Sequence, residues 1–90
     1  MLSLTTNDAE ALALSAMAAT LTDERRAQRF LDLTGLDVDE LRSRAVQGDR
    51  RLLGATIAFL ENHEPDLIAV AEAIGSSPAR LVAAREILEQ

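Results

Sequence analysis

Apolar residues recur at helical spacing along the chain, while β-branched and aromatic residues are scarce. In the segment 50–63, Leu52 and Phe59 fall on one face of a helix, and Arg50 and Glu61 fall on the opposite face. A helix with one apolar face packs that face against a core. Ala, Leu, Glu and Arg dominate the composition and favour helix over strand. The pattern therefore predicts an all-α protein.

Capping residues mark where the helices begin and end. Asp37 and Ser77 are typical N-cap residues, and Gly35 and Gly75 tolerate the positive φ that often follows a helix. Asn7 and Asp49 are further predicted N-caps, and Gly48 is predicted to end a helix. Pro65 and Pro78 are predicted in first turns, and capping boxes are predicted to pair Asn7 with Glu10 and Asp37 with Glu40. The predicted helices cover residues 8–20, 23–34, 38–47, 50–63, 66–74 and 78–89.

The chain is long enough for one domain with a modest core. We expect a flexible N-terminus over residues 1–7 and a single helical domain over 8–90. The expected architecture is a compact orthogonal bundle of about six short helices. The predicted core residues are Leu12, Met17, Phe30, Leu33, Leu41, Leu52, Ile57, Phe59, Leu60, Leu67, Val70, Ile74, Leu81 and Leu88.

A faint internal repeat relates residues 29–45 to residues 69–85 at an offset of 40. Gly35 matches Gly75, and Leu41 matches Leu81. Two copies are fewer than a solenoid needs. Helix-ending glycines and N-cap residues, which are common to many helices, explain the match more simply than a duplication of the chain does.

Composition excludes several classes of protein. The 90 residues contain no Cys, which removes disulfides, thiol catalysis and thiolate metal sites, and this fits a reducing compartment. The longest uncharged stretch, Ala11 to Thr22, falls short of the roughly 20 apolar residues that span a membrane. No basic segment precedes it, as a signal peptide requires. We expect a cytoplasmic protein without a membrane partner.

No motif indicates catalysis, a cofactor or a metal. His63 is the only imidazole and is predicted to end the fourth helix, where the helix dipole stabilises its charged form. The acidic run 37–40 begins like a calcium loop, but Leu41 and Arg42 stand where that loop needs an oxygen ligand and Gly. No phosphate-binding glycine loop is present. We predict a protein that is not an enzyme, with no catalytic, cofactor-binding or metal-binding residues. A small enzyme that uses carboxylates and His63 is an open alternative.

Arginine is concentrated in the middle of the chain. The window 22–51 holds seven of the nine Arg residues, but it also holds seven acidic residues, so its net charge is zero. An ion-paired, solvated surface is the simpler interpretation. Arginine is enriched at interface anchors, and Arg25, Arg29, Arg50 and Arg51 are therefore the candidate partner-docking residues.

The segment Leu67 to Leu88 is predicted to form a helix that ends at Gly75, a short turn and a second helix, which is the order of elements in a helix-turn-helix motif. Its second helix offers only Arg80 and Arg85 for contacts with DNA. Residues 52–90 carry two Arg and six acidic residues, a net charge of −4, and the whole chain carries −6. Because DNA affinity depends on neutralising phosphates, this charge argues against nucleic acid as a partner.

Three segments carry a resemblance to a known family: AEALALSAMAATL (Ala9 to Leu21), RFLDLTGLDVDELRSRA (Arg29 to Ala45) and LGATIAFLENHEPDLIAVAEAIG (Leu53 to Gly75). With the final helix, they resemble the short proteobacterial proteins of domain-of-unknown-function family 3572. The most specific block is FLDLTGLDVDELR, from Phe30 to Arg42. The resemblance implies a small all-α fold and supplies no catalytic residues.

These observations predict a non-enzymatic protein-interaction or regulatory module, whose partner is another protein or a second copy of the chain. The apolar content is high for so short a chain, so surplus apolar surface on the first or last helix is expected to pack on a partner. A helix-turn-helix DNA-binding protein is the alternative, and the acidic charge disfavours it.

Overall fold

Six α-helices follow one another along residues 4–90, the part of the chain that this computed structural model describes. They are α1 (Thr6–Thr20), α2 (Glu24–Thr34), α3 (Val38–Val46), α4 (Arg50–Glu61), α5 (Glu64–Ala73) and α6 (Pro78–Leu88). Residues 4–90 contain no strand. Helices α5 and α6 are bent against one another by 97°. The prediction of an all-α bundle of about six short helices is confirmed.

Helix α1 begins at Thr6, earlier than predicted, and its cap is Thr5 instead of Asn7. The Thr5 hydroxyl accepts a hydrogen bond from the Asp8 backbone N–H, and the Asp8 carboxylate accepts one from the Thr5 backbone N–H, each at 3.0 Å. The bond from the Thr5 backbone N–H to the carboxylate is the main reason that the pKa of Asp8 is lowered, and the Thr5 side chain beside the carboxylate lowers it further, because both stabilise the charged form. Of the predicted flexible segment 1–7, residues 1–3 lie outside the described residues, whereas Thr6 and Asn7 belong to α1.

The break between α4 and α5 also lies earlier than predicted. Asn62 is the C-cap of α4, and His63, with an extended backbone at φ −143°, is the N-cap of α5. Pro65 consequently falls in the first turn of α5, where its missing N–H costs no hydrogen bond. The prediction that His63 ends the fourth helix was therefore wrong.

Glycine permits the turns between α2 and α3 and between α5 and α6. Gly35 and Gly75 adopt φ of +71° and +68°, a conformation that L side chains rarely occupy. Asp37 and Ser77 then cap the next helices by accepting hydrogen bonds from backbone N–H groups, and Asp37 forms the predicted capping box with Glu40. These predicted caps are confirmed.

The core lies where α1, α4 and α6 pack against one another. Helix α1 contributes small residues to it, because Ala9, Ala13 and Ala16 are fully buried and let the neighbouring helices approach closely. Ten predicted core residues are buried: Met17, Phe30, Leu41, Leu52, Ile57, Leu60, Leu67, Val70, Leu81 and Leu88. Leu12, Phe59 and Ile74 are partly buried and pack against this core.

Leu33 was wrongly predicted to be in the core, since it is 67% exposed. On α2 the side chain of Phe30 is fully buried. The half-buried positions Ala27, Leu31 and Thr34 lie to one side of Phe30 around the helix, and Leu33 lies on the other side. Apolar character at a plausible helical position therefore did not indicate burial here.

The offset of 40 residues relates the two halves of the structure. Helices α2 and α5 begin at residues 24 and 64, and α3 and α6 begin at residues 38 and 78. Six pairs at this offset are buried in both halves: Ala13 and Leu53, Ala16 and Thr56, Met17 and Ile57, Thr20 and Leu60, Phe30 and Val70, and Leu41 and Leu81. Helices α1 and α4 begin at residues 6 and 50 and do not share this offset at their starts, but the buried pairs show that both halves use the same positions for the core. We therefore describe α1–α3 as the first unit and α4–α6 as the second unit.

Candidate functional site

An open groove separates α1 from α3, which make little direct contact with each other. Its volume is about 380 Å³. The groove is lined by Leu14, Met17, Ala18, Leu21, Thr22, Arg42, Ala45 and Val46. The wall is thus apolar except for the Thr22 hydroxyl and the Arg42 guanidinium. We call this feature the α1–α3 groove.

In the second unit, the corresponding helices α4 and α6 are in close contact. The helices leave room for only a small side chain at Gly54, because a Cβ there would already be in van der Waals contact with Cγ of Glu89 at 3.7 Å and with Cβ of Leu88 at 3.9 Å. A carboxylate–guanidinium bridge then joins the two helices, with Arg85 donating hydrogen bonds through Nε and Nη2 to the carboxylate of Glu61. This bridge raises the pKa of Arg85.

The first unit has a different residue at each of these closing positions. Leu14 stands at the position of Gly54, Leu21 at that of Glu61, and Ala45 at that of Arg85. All three line the groove. Helix α1 therefore has a large side chain where α4 has a glycine. The first unit also lacks an ion pair like that of Glu61 and Arg85. We attribute the open α1–α3 contact to these three differences.

Two large apolar side chains of the groove are exposed to solvent. Leu14 is 38% exposed, and Val46 is 83% exposed. Ala11, Ser15 and Ala18 continue the exposed face of α1 without any charge. A contiguous exposed apolar surface of this kind marks interaction sites more often than single exposed residues do.

Arg42 is exposed at the groove, and its guanidinium forms no hydrogen bond or ion pair within residues 4–90. Its neighbour on the opposite wall, Thr22, uses its hydroxyl to donate to the backbone carbonyl of Ala19 at 2.7 Å. Arg42 is therefore the polar group of the groove that is available to a ligand.

A second cluster of charges joins α2 to α5 and includes one predicted docking residue, Arg29. The carboxylate of Asp66 pairs with Arg29, lies 3.7 Å from Nη1 of Arg26, and lies 3.0 Å from Nδ1 of His63. The Arg29 guanidinium also stacks 5.7 Å from the ring centre of Phe59. Arg29 is thus engaged within the chain.

Of the other predicted docking residues, Arg25 lies one helical turn before Arg29 on α2, whereas Arg50 and Arg51 lie at the start of α4. Arg50 donates a hydrogen bond to the carbonyl of Ile87 at 3.0 Å, near the end of α6. Arg29 lies over Phe59, and Arg50 is nine residues from Phe59 along α4, or about 13 Å at the rise of an α-helix. Arg25 and Arg51 are exposed. A docking role for these four residues stays a prediction.

A family model described as "Protein of unknown function (DUF3572)" matches residues 6–90. The chain belongs to this family. No curated protein and no solved structure matches it.

The match covers the helices of both units of this DUF3572 chain, so the groove and the Asp66 cluster both lie inside the family domain. Within residues 4–90, no group of three or more His, Asp or Glu residues could hold a metal ion. No single helix among those residues is long and apolar enough to cross a membrane, and α5 with α6 meets that test only as a bent pair.

The sequence analysis did not name the groove residues, although the composition of α1 indicated exposed apolar positions on this helix. Helix α1 is apolar around much of its circumference, more than one buried face requires, and this surplus pointed to exposed apolar positions such as Leu14 and Ala18. Val46 carried no such signal, because its 83% exposure follows from the position of α3 in the fold.

Proposed function

We propose that this protein is a non-enzymatic protein-interaction module, and that the α1–α3 groove receives one helix of a partner protein. The observation that carries the proposal is the exposure of Leu14 and Val46 on the two walls of an apolar groove. Amphipathic helices bind such grooves through apolar residues at positions i, i+3 or i+4, and i+7. The uncharged face of α1 that continues the groove offers a helix further contact.

The chemistry of the groove supports binding instead of catalysis. Arg42 is its titratable lining residue, and a guanidinium stays protonated in proteins and cannot serve as a general base. His63 lies in the Asp66 cluster, on α5. The groove can therefore bind a partner with the residues it has, whereas catalysis there would need an additional acid, base or nucleophile.

The packing of α6 argues against the alternative, a helix-turn-helix protein that binds DNA. The second helix of such a motif packs one face on the core and presents the rest to the major groove, and outside the buried face of Leu81, Ala84 and Leu88 the exposed charges of α6 are Arg80 and Glu86. The Glu86 carboxylate would repel phosphates. Arg85 is also bound to Glu61 and Glu89. Only Arg80 would be left on this helix to contact phosphates.

Photo-crosslinking at the groove tests the proposal. The variant Val46→p-benzoylphenylalanine puts the crosslinker on the groove wall, and Leu33→p-benzoylphenylalanine puts it on an apolar residue, 67% exposed, that does not line the groove. Irradiation in the source cell should give a discrete protein adduct from position 46 and not from position 33. Adding Leu14→Glu should abolish that adduct, with circular dichroism confirming the fold.

Three outcomes would overturn the proposal. They are the same adduct from both positions, no adduct from position 46, or an adduct that Leu14→Glu leaves unchanged.

A further inference from the structure

The second unit shows how this fold closes an apolar contact between the first and third helices of a unit. In the α4–α6 contact, the Glu61 carboxylate binds the Arg85 guanidinium at the edge of packed apolar side chains. Both side chains are about three-quarters buried, with 24% and 23% exposed. Shielding from water strengthens such a charge-assisted pair.

The α1–α3 groove has the guanidinium of such a pair but lacks its carboxylate. Leu21 replaces Glu61 on the α1 wall. Arg42 lies three residues before Ala45, which is the equivalent of Arg85, so the two positions share one face of α3. None of the groove-lining residues among those described is acidic. An occupant of the groove can supply the acid that the lining lacks.

We infer that the partner helix carries an Asp or Glu that binds Arg42, beside the apolar residues that contact Leu14 and Val46. This inference rests on the proposed function. Guanidinium and carboxylate match in a two-bond geometry that fixes orientation, so the pair sets the register of the bound helix. Because the chain carries a net charge of −6, a uniformly acidic helix would be repelled. We expect a single acid facing Arg42, with neutral or basic residues elsewhere.

A second copy packed groove to groove does not supply this acid. Its own groove face would present Leu14, Ala18 and Val46 to the first copy, together with a second Arg42. Two guanidinium groups would then share the interface without an acid from the lining of either groove. A partner with the missing carboxylate fits the surface better.

Selection from a peptide library tests this inference. The probe is a phage-displayed library of helices with Leu at i, i+3 and i+7 and all other positions randomised. The baits are the full chain, Arg42→Glu and Arg44→Glu, since Arg44 is an exposed arginine of α3 that does not line the groove. The full chain and Arg44→Glu should select one acid at a fixed spacing from the Leu positions. Arg42→Glu should select Lys or Arg there.

Affinity measurements with a synthetic consensus peptide complete the test. Arg42→Gln should weaken binding about tenfold, as expected for loss of one charge-assisted contact. Arg44→Gln should leave the affinity within about twofold.

The possible failures are distinguishable. Selected helices without an acid at fixed spacing, whose binding Leu14→Glu abolishes, would overturn this inference and leave the proposed function intact. A library that yields no binder sensitive to Leu14→Glu would overturn both. A dimer in sedimentation equilibrium that Leu14→Glu disperses would assign the groove to a second copy and overturn the inference.

Discussion

Arg26 and Asp66 occupy equivalent positions in the two three-helix units, and their side chains meet across the fold, 3.7 Å apart. Both are largely buried, with 11% and 14% of the side chains exposed. Nη2 of Arg26 also donates a hydrogen bond to the carbonyl of Ala19 at 3.0 Å, whereas its Nε is buried without a partner. The Asp66 carboxylate is therefore the charge that balances a buried guanidinium in α2.

Replacing this carboxylate should destabilise the fold. In Asp66→Asn the side chain keeps its shape but no longer balances the charges of Arg26 and Arg29. Removing one partner of a buried pair leaves an uncompensated charge, so we expect the free energy of unfolding to fall by about 2–3 kcal/mol. Urea denaturation measures this change.

Asp32→Asn is the matched control, because the exposed Asp32 carboxylate accepts one hydrogen bond from Gln28 on the same helix. It should cost less than about 0.5 kcal/mol. Equal effects of the two variants would contradict a special role for Asp66.

Gly54 should tolerate a small side chain and reject a large one. In Gly54→Ala the added Cβ would make ordinary contacts at 3.7 and 3.9 Å, and Ala is the better helix former, so we expect stabilisation of about 0.5–1 kcal/mol. Gly54→Leu introduces the residue that Leu14 provides in the first unit. It should push α6 away from α4 and cost about 1–3 kcal/mol. Thermal unfolding of the two variants compares them, and a stable Gly54→Leu would refute our explanation for the open groove.

Phe30 should be the apolar residue on which the attachment of α2 depends. It is fully buried, and its ring lies 5.1 Å from that of Phe59. Phe30→Ala removes this contact and leaves a cavity, so the free energy of unfolding should fall by about 3–4 kcal/mol. Leu33→Ala, an apolar truncation on the same helix, should change it by less than about 0.5 kcal/mol. Guanidinium denaturation measures both, and similar losses would contradict the burial that distinguishes them.

Stability should fall in acid, in part through the cap of α2. The Asp23 carboxylate accepts a hydrogen bond from the backbone N–H of Arg26 at 2.9 Å, and this bond lowers the pKa of Asp23 below its ordinary value of 3.8. A carboxyl whose pKa is lower in the folded state stabilises the fold above its unfolded pKa. That contribution is lost as the pH falls through the lower, folded value.

Asp23→Asn separates the charge from the cap, because Asn also caps helices but does not titrate. Its stability near pH 7 should be close to that of the parent chain. Between about pH 5 and pH 2, however, it should lose less stability than the parent does. Urea denaturation across this range measures the difference, and parallel curves for the two proteins would contradict the prediction.

The local features of the fold were predictable because their causes lie within a few residues of sequence. Asp37 with Glu40, Ser77, Gly35 and Gly75 each act on the neighbouring backbone, and the structure confirms them. Where local signals competed, the prediction was less accurate. The capping box at the start of α1 is formed by Thr5 and Asp8 instead of Asn7 and Glu10. Helix α5 begins directly after His63, so that Pro65 lies in its first turn.

Burial and the groove depended on contacts between residues far apart in the sequence. Phe30 and Leu33 are both apolar and three residues apart, and the packing of the other helices against α2 buries Phe30 and leaves Leu33 exposed. The pairing of Arg29 with Asp66 spans 37 residues and has no local signature.

The amino-acid sequence by itself determined the helical class, the turns and most of the core, because propensity, capping and periodicity act within a helical turn or two. The tertiary structure decided that α3 stands away from α1 while α6 packs against α4. The physical reason is that helix packing depends on the side chains at the contact. Leu14, Leu21 and Ala45 differ from Gly54, Glu61 and Arg85 in size and charge, and the packed fold shows which of these side chains meet between two helices.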